Sequence, residues 1–329
     1  MVHLGGPPGA AAGSLPAAAP ASLHETVLVS EVLTLLAPRL DGVMVDATVG
    51  AGGHAEAIME ASSRVTVIGF DRDPAAVAAA RARLSRFGAR ARVRMANFSN
   101  LAEETMKEGL DPPSAILLDL GLSDIQINDT SRGFSFQRVS PLDMRVGPDA
   151  PRTAAELLTH MSERDLADLI FKYGEDRNAR KIARRIVEAR EHGAIGSTTH
   201  LAELVAGPGW KGSGPERIHP ATRTFQALRM AVNGEEAALA AVLPQALGIL
   251  PSGGRLAVIT FNSLEDRPVK QFMVRESKGC LCPTDFPECR CGHHASLSIL
   301  TKKPVTAGTA ELSRNPSARS AKLRVAEKL

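Results

Sequence analysis

The sequence predicts an α/β protein, a Rossmann-like, largely parallel sheet interrupted by a small inserted helical domain. Three observations carry this. Short apolar runs end in an acid at Asp46, Asp71 and Asp119. A glycine-rich turn, Gly50-Ala51-Gly52-Gly53, follows the first run and opens a segment with helical spacing. After Asp119 the next convincing strand is Arg255–Phe261, and the sequence between them is largely helical.

The elements follow in order. Residues 1–22, rich in Ala, Pro and Gly, are expected to be a disordered tail. Glu25–Leu40 places Val27, Leu28, Val32, Leu33, Leu35 and Leu36 at amphipathic helical spacing. Val43–Thr48 is the first strand, and a helix runs from about His54 to Ser62. Val65–Phe70 is the second strand. Pro74–Phe87 is a helix rich in Ala and Arg, with Pro74 suited to its first turn. Val93–Ala96 leads into Asn97-Phe98-Ser99, and Ala115–Asp119 is the fourth strand.

Beyond it, Thr153-x-x-Glu156 forms a capping box, and an apolar series from Leu166 to Tyr173 stops at Gly174. Asn178–Glu191 sets Ile182, Ile186 and Val187 on one face and Arg177, Lys181, Arg184 and Arg185 on another. The sheet is expected to resume from a helix near Pro220–Val232. The resulting division is a discontinuous sheet domain, 23–135 and 215–329, with a helical substrate-recognition domain at 136–214.

At 329 residues and 44% hydrophobic content the chain can bury a large core. A net charge of only +3 means that any nucleic-acid surface must be a local patch. No apolar run approaches the ~18 residues of a membrane span. The first Lys or Arg is Arg39, so the basic start of a signal or transit peptide is missing and a cytoplasmic protein is expected.

Gly50-x-Gly52-x-x-Ala55 satisfies a loose dinucleotide fingerprint, so a nicotinamide or flavin enzyme has to be weighed. Two features favour S-adenosylmethionine (SAM) instead. Asp46, four residues before Gly50, can reach the amino group of a bound amino acid, and no third glycine is present to admit a pyrophosphate. Asp71, ending the second strand, suits the two ribose hydroxyls.

All four cysteines, Cys280, Cys282, Cys289 and Cys291, lie within twelve residues. That clustering suits a zinc knuckle, although Cys-x-Cys is tighter than the usual ligand spacing, and reduced loop thiols are the other reading. The basic face of Asn178–Glu191, extended by Arg217, His219, Arg223 and Arg229, is either a solvated face or an RNA contact. With 4% aromatic residues, recognition would rest on phosphates and shape, with the target base flipped into a pocket.

Ten segments now name a family. They are HETVLVSEVL, DATVGAGGH, FDRDP, ILLDLGLS, RGFSF, PLDMR, YGEDRNARKIARRIVEAR, HPATRTFQALRMAVN, GGRLAVITFNSLEDR and NPSARSAKLR, in order from His24 onward. The chain resembles the bacterial methyltransferases that modify the N4 amine of a cytidine in the decoding centre of small-subunit (16S) ribosomal RNA. The resemblance implies a class I SAM-dependent methyltransferase sheet. It carries the cofactor site onto Gly52, Gly53, His54, Asp71, Phe98, Asp119 and Gln126.

Acceptors for the amine proton are sought among Asp119, Ser123 and Asp143, although Asp143 equally suits a salt bridge to Arg145. The implied partner is 16S rRNA within the small subunit, with a homodimer left open. A mitochondrial relative exists, so the mitochondrial matrix is the alternative location. Two departures stand out: Asn262 where the family commonly has His, and GLSDIQIND where GVSSPQLD is commoner. A non-catalytic SAM-sensing RNA-binding or ribosome-assembly protein is the rival function, and a nicotinamide oxidoreductase a weaker third.

Overall fold

The computed structural model describes residues 25–208, 219–283 and 288–329. The expected tail, Arg217 and the end of the expected insertion lie outside them. Seven strands, β1 (Val43–Asp46), β2 (Thr66–Asp71), β3 (Ala91–Met95), β4 (Ala115–Asp119), β5 (Arg255–Thr260), β6 (Leu297–Ile299) and β7 (Lys322–Lys328), form one sheet in the order β3-β2-β1-β4-β5-β7-β6. The first five are parallel, and β7 runs antiparallel to both neighbours. This is the class I methyltransferase arrangement that was expected. The order reverses between β1 and β4, and the crevice outside the carboxyl ends of strands at such a switch point is where ligands bind.

Thirteen α-helices complete the described chain. On one face of the sheet lie α1 (Val29–Leu36), α2 (Gly53–Ala61) and α3 (Pro74–Leu84), sharing a core with Met44, Val67, Leu117, Ala257 and Ile259. The other face takes Val45, Ile68, Ile116, Leu118, Leu256 and Val258. There they meet α4 (Leu101–Lys107), α11 (Glu235–Ile249) and α12 (Ser263–Glu276). Successive residues of each central strand thus serve opposite cores, which is why those strands read as unbroken apolar runs.

A third core contains no strand residue. It joins α6 (Ala154–His160), α7 (Glu163–Gly174), α8 (Ala179–Glu191), α9 (Thr198–Ala206) and α10 (Ala221–Asn233) through Leu158, Leu166, Ile170, Ile182, Ile186, Leu201 and Leu228. The short helices α5 (Asp124–Asn128) and α13 (Thr309–Arg314) flank the sheet. One expectation changes here. The helix near Pro220–Val232, expected to begin the resumed sheet half, places Ala221, Phe225, Leu228 and Val232 in the helical core.

Strand β7 went unrecognised in the sequence because four of the seven residues of KLRVAEK are charged. Its Arg324 is nevertheless buried, and Nε and Nη2 donate to the two carboxylate oxygens of Asp266 at 2.7 and 3.0 Å. The bidentate pair makes a cation acceptable inside the sheet layer.

The separate helical core has a measurable consequence. Ile170→Ala should cost about 2–5 kcal/mol of local stability, the usual range for emptying a filled apolar site. Hydrogen exchange should then quicken in α7, α8 and α10 while amides of β1, β2 and β4 keep their protection. Equal loss across the sheet would show that the two cores unfold as one unit.

Candidate functional site

The turn after β1 forms because glycine accepts positive φ: Gly50 sits at +52° and Gly52 at +86°. Gly52 then starts α2, and its carbonyl accepts from Glu56 N at 2.9 Å. Gly53 has no room for a side chain, since a Cβ there would lie 1.8 Å from Thr26 Oγ1. The turn is locked to the neighbouring strand by Asp71, whose Oδ2 accepts from Gly50 N at 3.0 Å and Oδ1 from Asp73 N at 2.9 Å. Burial pushes the Asp71 carboxyl up to about 6, opposed by the two N–H donors.

Above the carboxyl ends of β1, β2 and β4 opens a cavity of about 1040 Å³. Its wall includes Gly50, Gly53, His54, Asp71, Phe98, Asp119, Ser123 and Gln126. Nearly all of the residues expected at the cofactor therefore converge. Gly52 lies just behind, where a Cβ would meet the Ala80 backbone and Leu84.

His54 is buried, and neither of its ring nitrogens has a hydrogen-bond partner. Nε2 lies 3.5 Å from Asp119 Oδ2, close enough for charge interaction but without hydrogen-bond alignment. Asp119 itself is oriented by its backbone N–H donating to Thr48 Oγ1 at 2.6 Å and by Gly121 N donating to Oδ1 at 3.3 Å.

Two expected residues stand elsewhere. Asp46 is 1% exposed and is not on the cavity wall; its Oδ1 accepts from Thr48 N at 3.3 Å. Burial pushes it up to about 7, against the opposing charge of His54. Direct contact with a ligand's amino group, expected from its position in the sequence, is not what this placement offers. Asp143 is also off the wall. Arg145 Nε and Nη2 donate to its two oxygens at 2.8 and 2.7 Å, and those bonds hold the carboxyl below its ordinary range. The salt-bridge reading describes its surroundings.

The structure adds supporting contacts that the sequence reading did not assign. Ser123 caps α5 and exchanges hydrogen bonds with Gln126 in a capping box, leaving Gln126 Nε2 to donate to Asp73 Oδ2 at 3.1 Å. Asp73 is fully buried and takes two bonds from Arg132, 2.6 Å from Nη1 to Oδ2 and 2.9 Å from Nη2 to Oδ1. Asp149 receives Arg72 Nε at 3.0 Å and Asn97 Nδ2 at 2.8 Å, bridging the ends of β2 and β3. On the opposite wall Arg229 Nη2 donates to Glu235 at 2.8 Å and Glu265 at 3.3 Å. The only signal for Asp73 was its place before Pro74, an N-cap pattern; its side chain indeed accepts from Ala75 N at 2.9 Å.

Asn262 accounts for its own departure. Its Oδ1 accepts from Leu264 N and Glu265 N, capping α12, and it does not line the cavity. An imidazole there is not needed for the wall.

The basic face of α8 is narrower than the sequence implied. Arg185 Nη1 donates to the carbonyls of Leu204 and Val205 at the end of α9, and Arg190 Nη1 to those of Leu158 and Met161 near the end of α6. Both cations are spent on orphan helix carbonyls. Arg177, Arg180, Lys181 and Arg184 remain exposed. Arg223 Nη1 donates to the Glu175 carbonyl, and Arg229 faces the cavity.

Residues 21–329 match the MraW methylase family. A protein of Geobacter sulfurreducens is 50% identical over 307 residues, 93% of this chain and 99% of its own length. One of Thermomicrobium roseum is 51% identical over 307 residues, 93% and 94% of the two chains. Both are called ribosomal RNA small subunit methyltransferase H.

Asp46 makes the stability of the protein sensitive to pH. Its folded-state pKa lies above the ordinary 3.8, so the stability it contributes is complete below about pH 4 and is lost as the pH rises through about 7. Asp46→Asn should therefore match the parent at pH 4 and exceed it at pH 8, by up to about 4 kcal/mol in ligand-free denaturant titrations. A difference independent of pH would remove the buried-charge account.

Proposed function

Because the chain belongs to the MraW methylase family, we propose that it transfers a methyl group from SAM to small-subunit ribosomal RNA, the acceptor being the N4 amine of a cytidine in the decoding centre. The observation that carries this reading is the single cavity shared by the glycine turn, Asp71 and Phe98 with Asp119 and Ser123. One end of it suits a nucleoside, and the other offers acceptors for an amine. The reaction would run in the cytoplasm, where bacterial ribosomes are assembled, or in the mitochondrial matrix for an organellar copy.

The residues present fit SAM. Gly53 keeps the backbone bare at the turn, and the partnerless ring nitrogens of His54 are buried polar atoms without a hydrogen bond inside the protein. Asp71 suits the ribose hydroxyls, Phe98 offers an apolar face to the adenine, and Gln126 holds the α5 loop beside them. When bound, SAM supplies a methyl group on a sulfonium, an activated leaving group that needs no proton.

The burden on the protein lies with the acceptor. The exocyclic amine of cytosine is a weak nucleophile because its lone pair is delocalised into the ring. A hydrogen-bond acceptor at N4 favours pyramidal nitrogen, and in-line placement removes most of the remaining entropy cost. Asp119 and Ser123, which line the cavity beyond β4, would supply this acceptor; Asp143, tied to Arg145, is the weaker candidate.

The helical layer, residues 136–214 extended through α10, would carry the RNA. Its exposed Arg177, Arg180, Lys181 and Arg184 offer phosphate contacts.

The direct test is transfer of radiolabelled methyl from SAM to small subunits isolated from cells lacking the gene, followed by mass spectrometry of the labelled nucleoside. N4-methylcytidine is expected. Binding without transfer would favour a SAM-sensing assembly protein, and label on another atom would overturn the N4 assignment. Two variants separate the parts. Asp71→Ala removes a charged acceptor that contributes about 1.5–3 kcal/mol, so SAM affinity should fall roughly ten- to a hundredfold by calorimetry. Arg180→Glu with Lys181→Glu and Arg184→Glu should leave SAM affinity intact, weaken binding of small-subunit RNA, and flatten its dependence on salt. Unchanged binding across a salt series would make the stripe a solvated face.

A further inference from the structure

Between α12 and β6 the chain passes through a segment that no hydrophobic core reaches. Met273 and Leu297 belong to a core cluster, and among the described residues nothing between them does. The segment is nevertheless folded back on itself. All four cysteine Sγ atoms lie within 4.8 Å of one another. Cys280 stands 3.3 Å from Cys289 and 3.7 Å from Cys291, and Cys289 stands 3.6 Å from Cys291. No pair is joined as a disulfide.

From this convergence we infer that Cys280, Cys282, Cys289 and Cys291 form a tetrathiolate zinc site with a structural role. Four sulfurs about 2.3 Å from a common zinc stand about 3.8 Å apart along the edges of a tetrahedron. The three separations, 3.3, 3.6 and 3.7 Å, fall close to that edge. Neutral thiols have no reason to gather four at a time at an exposed position, since each is a weak donor and a weak acceptor.

The surrounding backbone is also that of a metal knuckle. Leu281 N donates to Cys291 Sγ at 3.3 Å, Cys282 N to Cys280 Sγ at 3.3 Å, and Arg290 N to Cys282 Sγ at 3.4 Å. Such N–H donors disperse the negative charge of thiolate ligands and fix their direction. They also explain how the tight Cys-x-Cys spacing works: the middle residue of each pair, Leu281 or Arg290, donates its N–H to a sulfur of the other pair. On binding, four S–H bonds break, four Zn–S bonds form, and four protons pass to solvent.

The knuckle is anchored on α12. His293 Nε2 lies 3.1 Å from the Arg275 carbonyl, and Ser296 N donates to the Glu276 carbonyl at 2.8 Å. Leu264, Glu265 and Pro268, at the other end of the same helix, line the cavity. Fourteen residues of helix separate the two ends by about 20 Å, so the ion has no access to the reacting groups. Binding energy at such a site is folding energy for the loop.

The test uses the full-length chain expressed and purified without added metal. Elemental analysis should find close to one zinc per chain. After removal of the metal under reducing conditions, a disulfide reagent should titrate four thiols, and readdition of one equivalent of zinc should protect them. Cobalt(II) in place of zinc should give the intense visible bands and thiolate charge-transfer absorption of a tetrahedral sulfur site. Cys289→Ser with Cys291→Ser should lose the stoichiometric metal, become more susceptible to proteolysis between α12 and β6, and keep the parent affinity for SAM. Reduced protein that is isolated without metal and takes up no stoichiometric zinc would overturn the assignment, as would stoichiometric iron in its place.

Discussion

A single buried carboxylate sets the geometry on which the cavity depends. Asp73 has no exposed surface, and an isolated charge there would be prohibitively costly. It is acceptable because four donors surround it: two from Arg132, one from Gln126 and the N–H of Ala75. Those donors come from three different segments around the cavity. Ala75 starts α3, Gln126 sits on α5, and Arg132 lies on the stretch that leads to the helical layer. The N–H of Asp73 also orients Asp71, which in turn holds the glycine turn at Gly50. The Asp71 side and the Gln126 side of the cavity are thereby referred to the same carboxylate.

The central sheet was easy to read because its strands are buried on both faces and end in acids. Runs such as AILLD have few other uses in a soluble chain, and the β4 bounds, Ala115–Asp119, agreed with the expectation. Strands β6 and β7 were not legible for the complementary reason. β6 has three residues, and β7 carries its charge inward at Arg324, a choice that makes sense only once Asp266 stands opposite. Periodicity describes one element at a time, whereas a buried ion pair is a property of two.

The site shows the same division. The family resemblance pointed to Gly53, His54, Asp71, Phe98 and Asp119, and they share one cavity because they lie at or beyond strand ends, which the sheet brings together. Asp46 also ends a strand, yet it falls behind the wall rather than on it, since a strand's last inward-facing residue and its first loop residue point to different places. The supporting roles of Asp73, Arg132 and Asp149 were invisible, and Arg229 was read as part of a basic patch, because charge alone does not distinguish a buried cation from a solvated one. Arg185 illustrates the point from the other side: it sits in a basic stripe by sequence and caps α9 in space.

Placing the helical layer between β4 and β5 also bears on the order in which the chain assembles. Parallel pairing of Asp119 with Ile259 must close a loop of about 140 residues, a slow event in a search through an open chain. The helices from α6 to α10 make their contacts locally and can condense first. Once they have done so, the flexible length left to close falls to about 60 residues. On a logarithmic loop-entropy law that lowers the cost of docking β5 beside β4 by about 1 kcal/mol. The insertion that forms one wall of the cavity thus doubles as a splint, shortening the search that completes the sheet.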